Sequence, residues 1–117
     1  MGKPVVVLGI FACDLTFRSG RLPRIGETIL GTSFALGPGG KGSNQSVAAA
    51  RVGADVTFIS KLGADDFARI ARDTWAREGI TAAVAEVADQ PTGAAYIFVD
   101  EVTGDNAIIV VAGAADT

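Results

Sequence analysis

The stretch ALGPGGKGSNQS, residues 35–46, brings four glycines and a lysine together just ahead of an alanine-rich segment, QSVAAARV. The segment reads as a helix capped by Ser43 or Asn44 and closed by Gly53, the glycine expected after a helix end. A glycine-rich entry into a helix lets a ligand approach bare backbone and meet unpaired N–H groups. Such a loop suits a nucleotide's phosphates, another polar ligand, or simply a tight turn.

Two phosphate motifs can be tested on it. The pattern GxxxxGK[ST] fits Gly40 and Lys41 but requires a glycine at Ala35 and a hydroxyl at Gly42, and both fail. The dinucleotide pattern GxGxxG is met by Gly37, Gly39 and Gly42. That pattern belongs after the first buried strand, with an acid closing the next strand. Here the first strand candidate ends near Ile10, and the next runs into Ser60 and Lys61. A dinucleotide-binding domain therefore stays as a minor alternative, with NAD(H) affinity sensitive to Gly37 and Gly39 as its signature.

Outward from the loop, the chain alternates strand and helix patterns. PVVVLGI, residues 4–10, is a β-branched run of the kind buried on both faces of a parallel sheet. TILGTSFAL, residues 28–36, suits a half-exposed strand. DVTFISKLG, residues 55–63, is a second buried strand, and Asp65 or Asp66 opens a helix with Phe67, Ile70, Ala71 and Trp75 on one face, stopped by Gly79. AAVAEVA, residues 82–88, fits a third parallel strand, and residues 93–113 form two apolar runs around Thr103, Gly104 and Asp105, a hairpin signal. The expectation is one α/β domain, a βαβαβ layer with added antiparallel strands.

Composition narrows the function. The chain has 117 residues, 49% hydrophobic and 20% charged, enough for one core. A net charge of -3 with scattered Lys and Arg argues against nucleic acid as a partner, and no apolar run nears the ~18–20 residues that span a bilayer. A cytoplasmic location is the expectation, with no membrane partner. The single Cys13 forms no internal disulfide, and the absence of histidine excludes Ser/His/Asp triads, Cys/His dyads and the usual zinc sites. Asp14 falls past the first strand, in the crevice where open α/β sheets bind ligands. A carboxylate there, an asparagine at position 44 and bare glycine backbone form a set suited to the hydroxyls of a sugar, although a turn or capping role for Asp14 is equally compatible.

At this level of detail the chain resembles the ribokinase family of carbohydrate kinases, the phosphofructokinase-B group. GGKGSNQS, six residues, Gly53, nine residues and Gly63 fit that family's first signature. VVVLGI with Asp14 looks like its first strand and substrate aspartate, RLPRIGET like its link into the lid, and the run from Pro91 to Ala114 like its lid hairpin. The resemblance implies a three-layer α/β/α fold with a small antiparallel β-sheet lid. It also implies transfer of the γ-phosphoryl of ATP to a sugar hydroxyl with Mg²⁺, aided by a monovalent cation such as K⁺. By resemblance Asp14 and Asn44 hold sugar hydroxyls, and Gly40, Lys41, Gly42 and Ser43 line the same pocket. Core segments would fall at about residues 4–12 and 39–88, and lid strands at about 15–38 and 91–112.

Two substitutions depart from the pattern. Ala12 stands where ribokinases proper carry asparagine, which points away from ribose and toward another sugar or a nucleoside. Ala68 replaces a glycine of many relatives. The family's second signature, with its anion hole and catalytic base, is not among these residues, so no catalytic, cofactor or metal residue is assigned here. The expectation is the sugar-binding and lid half of a kinase, inactive by itself, with apolar surface left for further chain or for self-association. The alternative is a non-catalytic module that binds sugar or dimerises through the strand Tyr96–Val99. Trp75 and Cys13 read as core, and Asp65 and Asp66 as helix capping.

Overall fold

Two β-sheets share one short chain, and the points where the backbone crosses between them shape the candidate site. A computed structural model describes residues 2–117. In chain order the elements are β1 (Pro4–Leu8), β2 (Ala12–Ser19), β3 (Ser33–Gly39), α1 (Lys41–Arg51), β4 (Asp55–Leu62), α2 (Asp66–Arg77), β5 (Thr81–Glu86), β6 (Ala94–Asp100) and β7 (Asn106–Val111), followed by a 3₁₀ turn at Gly113–Asp116.

Strands β1, β4 and β5 form a parallel sheet in the order β1-β4-β5, with Val6 opposite Thr57 and Ile59 opposite Ala83. The period-two pattern of β4 turns Val56, Phe58 and Leu62 toward the helices. They pack with Phe11, Ala71 and Trp75, while Val47 and Ala50 of α1 close the flank. Trp75 is fully buried, edge-on to both Phe11 and Phe58, with ring centroids 5.7 Å and 5.1 Å away. Its core role matches the sequence reading, as does the burial of Cys13.

α2 begins as expected: the Asp65 carboxylate accepts the Ala68 amide at 2.9 Å. Its buried stripe is Ala68, Ala71, Thr74 and Trp75, with Phe67 and Ile70 at the margin. Thr74 is tolerated there because its hydroxyl donates to the Ile70 carbonyl at 2.8 Å. Gly53 and Gly79, both at positive φ, follow the ends of α1 and α2.

Three local expectations are corrected. α1 starts at Lys41 with Gly40 as its N-cap and no side-chain cap, rather than with Ser43 or Asn44 capping. Gly40 has φ of 91°, and the space a Cβ would need lies 2.6 Å from the Ile10 carbonyl oxygen, so glycine alone makes this turn and the helix begins early. The strand expected over residues 28–36 begins only at Ser33, after a loop clipped by Arg21 and Glu27. β1 is covered on one face only: Val5 and Val7 turn to the helices, whereas Val6 and Leu8 are 65% and 79% exposed. The bare face continues through Ile59 and the alanines of β5, because both helices pack on the opposite side.

The second sheet runs β3-β2-β6-β7. Its outer pairs are antiparallel; the β6-β7 hairpin is the one the sequence suggested, whereas β2 and its pairing with β3 were not read from it. The central pair β2 and β6 is parallel, with Asp14 opposite Ala95, because the helix-bearing part of the chain intervenes between those strands.

Candidate functional site

The site forms where the second sheet meets the N-terminus of α1. Asp14 lies inside β2 rather than just past the first strand, because β1 stops at Leu8 and the chain re-enters a strand at Ala12. Alternation along β2 puts Ala12 and Asp14 on one face, and pairing adds Ala95 and Ile97 from β6, then Ile108 and Val110 from β7. These residues, with Ile10, Gly40, Lys41 and Asn44, line a cleft of about 440 Å³. One end of the cleft is polar and the sheet wall is apolar, the usual arrangement of a small-molecule site.

Asp14 is the polar focus. Partial burial pushes its carboxyl up from the ordinary aspartate value. A methyl group on Gly39 would sit 2.5 Å from its Cγ and Oδ2, so the carboxylate lies flat against bare backbone. Next to it, the end of α1, which has no side-chain cap, brings backbone N–H groups to the edge of the cleft, and the Asn44 backbone N–H closes the first turn by donating to the Gly40 carbonyl at 2.9 Å, leaving its side-chain amide free for a ligand. Charge-accepting oxygen, amide side chain and N–H donors together can hold neighbouring hydroxyls.

The structure separates the six residues singled out in the sequence into two groups. Asp14, Gly40, Lys41 and Asn44 meet at the cleft. Gly42 and Ser43 are buried beneath the loop. A Cβ on Gly42 would lie 2.9 Å from Gly9 Cα and 3.2 Å from a Phe58 ring atom, so that glycine serves the contact between α1 and the end of β1. The Ser43 hydroxyl accepts the indole N–H of Trp75 at 3.0 Å. The wall residues Ala95, Ile97, Ile108 and Val110 were not singled out from sequence. Their i, i+2 spacing was visible, but only the pairing of β2 with β6 turns that face toward Asp14.

The dinucleotide alternative loses its structural context. Gly37 and Gly39 lie in β3, an outer strand of the second sheet, and the chain leaving β1 enters β2 rather than a helix.

Residues 3–117 match the pfkB family carbohydrate kinases. The chain belongs to this family. Among curated relatives of the pfkB group, ribokinase of Bacillus subtilis (strain 168) is 42% identical over 115 residues, covering 97% of this chain and 39% of its own length. Ribokinase of Mus musculus is 42% identical over 111 residues, 94% of this chain and 34% of its own. The structure of Arabidopsis thaliana ribokinase complexed with ribose and ATP superposes with a TM-score of 0.88 at 32% identity, over 97% of this chain and 37% of that one. The chain thus spans somewhat over a third of the length of these relatives. The fold is the N-terminal part of the ribokinase-like α/β fold, comprising a parallel sheet with one helical layer and a four-stranded mixed sheet. Among the described residues no helix is long and apolar enough to cross a membrane.

Proposed function

We propose that this chain supplies the sugar-binding and lid half of an ATP-dependent carbohydrate kinase that phosphorylates a hydroxyl of a sugar or nucleoside in the cytoplasm. The observation that carries the reading is the convergence of Asp14, Gly40, Lys41 and Asn44 at one end of a cleft walled by Ala12, Ala95, Ile97, Ile108 and Val110. The ionised Asp14 accepts hydrogen bonds from neighbouring hydroxyls, Asn44 orients them, and the apolar strands exclude water from the carbon face of the ring. Ala12 offers no hydrogen bond at the wall, which favours a substrate less fully hydroxylated there than ribose.

ATP, with Mg²⁺ and a monovalent cation such as K⁺, belongs to the intact enzyme in this reading. The residues present give no site for the metal: among the described residues no three His, Cys, Asp or Glu side chains cluster as ligands, and the cleft holds a single carboxylate, Asp14. The remaining chemistry, positioning of the γ-phosphoryl and removal of the hydroxyl proton, falls to further chain. The bare face of the β1-β4-β5 sheet, with Val6, Leu8 and Ile59 exposed, is the surface such chain would cover.

The test is ATP consumption by the protein purified from its native source, over pentoses, deoxypentoses, hexoses and nucleosides. One substrate should stand out, and Asp14→Ala should lower its kcat/KM by about 10² or more, since each charged hydrogen bond lost is worth ~1.5–3 kcal/mol. Turnover indifferent to Asp14→Ala refutes the reading.

A second reading, self-association through the lid, is favoured by the lid face turned away from Asp14. There Phe17, Phe34 and Tyr96 stack at 4.9 Å and 5.5 Å beside the exposed Ile109 and Val111. A homodimer on this face should persist in Asp14→Ala and fail when Tyr96–Val99 is disrupted.

A further inference from the structure

The chain passes into or out of the lid four times, and a side chain outside the cleft ties three of these passages together. It enters at Phe11–Cys13, leaves at Gly39–Lys41, re-enters at Thr92–Ala94 and leaves again at Val111–Gly113. At the centre is Asp65. Its Oδ1 accepts the Ala68 amide, fixing it to α2, and its Oδ2 accepts the Thr92 amide at 2.9 Å. The Thr92 hydroxyl accepts the Gly63 amide at 2.9 Å, a second tie from the parallel sheet to the same residue. The next carbonyl, of Gly93, accepts the Cys13 amide at 2.8 Å, one residue from Asp14. There is no slack: a Cβ on Gly93 would lie 2.7 Å from the Phe11 carbonyl oxygen and 2.9 Å from that of Ala112.

We propose that Asp65 is a positioning residue for the sugar site: through Thr92 and Gly93 it fixes the stem of the lid to the first turn of α2 and thereby holds Asp14 and the Ala95–Ile97 wall against the α1 loop. This rests on the sugar-site reading for its consequence in turnover, while the mechanical linkage stands on the hydrogen bonds alone. The helix cap by itself does not require it, since an N-cap needs one acceptor oxygen and Asp65 uses its second on the lid. Burial pushes the Asp65 carboxyl up, but the bonds from Thr92 and the Ala68 amide outweigh it and leave it below the ordinary value, as expected of a carboxylate held by several donors.

The experiment compares Asp65→Asn, Asp65→Ala and Thr92→Val with the neighbouring Asp66→Asn, whose carboxylate pairs with Arg69 on the same helix. Thr92→Val leaves the Ala68 cap intact, so it tests the tie even where Asp65→Ala unfolds. Amide hydrogen exchange at Cys13 and Ala94 should accelerate in Thr92→Val and both Asp65 variants but not in Asp66→Asn, with the C-terminal turns of α2 unchanged. The KM for the sugar that the wild type turns over should rise about tenfold or more, since a remote change that misplaces a positioned group by about 1 Å costs up to about 10²-fold, while the KM for ATP stays unchanged. Unchanged exchange at Cys13 overturns the linkage. Faster exchange with unchanged sugar KM overturns the positioning role. Wild-type protein purified from its native source that turns over no sugar refutes the kinase reading instead, and the exchange result then still decides the linkage.

Discussion

Ser43→Ala separates two roles that the family signature leaves merged. If Ser43 touched the sugar, its loss would raise KM and leave stability alone. The structure places its hydroxyl 3.0 Å from Trp75 Nε1, with Ser43 1% and Trp75 0% exposed, so the indole N–H has no access to water. Removing the acceptor strands a buried donor, a loss of ~1–3 kcal/mol. Ser43→Ala should therefore lower the urea midpoint with the slope of the transition unchanged, and leave the sugar KM as it was. Trp75→Phe removes the donor at the cost of packing against Phe11 and Phe58. In the double variant no donor is stranded, so the coupling energy across the cycle should fall within ~0.5–3 kcal/mol. Additive losses, or a tenfold rise in KM without loss of stability, would refute the assignment of Ser43 to the core.

Three other outcomes follow from the same geometry. Gly39→Ala should weaken sugar binding more than it lowers the melting temperature, because its Cβ displaces the Asp14 carboxylate rather than a core contact; a competition titration against wild type checks this. The acid limb of kcat/KM should lie above the ordinary aspartate value of 3.8. Burial raises the Asp14 pKa, the ionised form is the acceptor, and activity is lost as pH falls through that raised value; a limb at or below the ordinary value counts against Asp14 as the acceptor. Leu8→Asp reports on the bare sheet face. If further chain covers that face, the variant should lose more than ~3 kcal/mol in denaturant titration, whereas a solvated face would keep the change within ~0.5 kcal/mol.

The Asp65 carboxylate adds a pH signature in stability. Its folded value is depressed, so its contribution is present above the ordinary aspartate value of 3.8 and is lost as pH falls through the folded value.

The amino-acid sequence by itself determined most of the elements and their order, because their signals are local, but β2, the strand that carries Asp14, was not among them. The β-branched and alternating runs marked the strands, Asp65 marked the start of α2, and Gly53 and Gly79 marked the helix ends by a backbone conformation that other residues avoid. The spacing of GGKGSNQS with Gly53 and Gly63 also marked the family. Tertiary structure alone decided which of those residues share a cleft. Gly42 and Ser43 sit between Lys41 and Asn44 in sequence, yet a helix turns each successive residue about 100°, so positions 41 and 44 share the cleft side while 42 and 43 turn to the core. The apolar wall could not be read from β6 and β7, since a period of two defines two faces and only the parallel pairing with β2 says which one meets Asp14. One-sided burial of β1 likewise depended on both crossover helices packing on the same face, a long-range outcome that no local run of valines encodes.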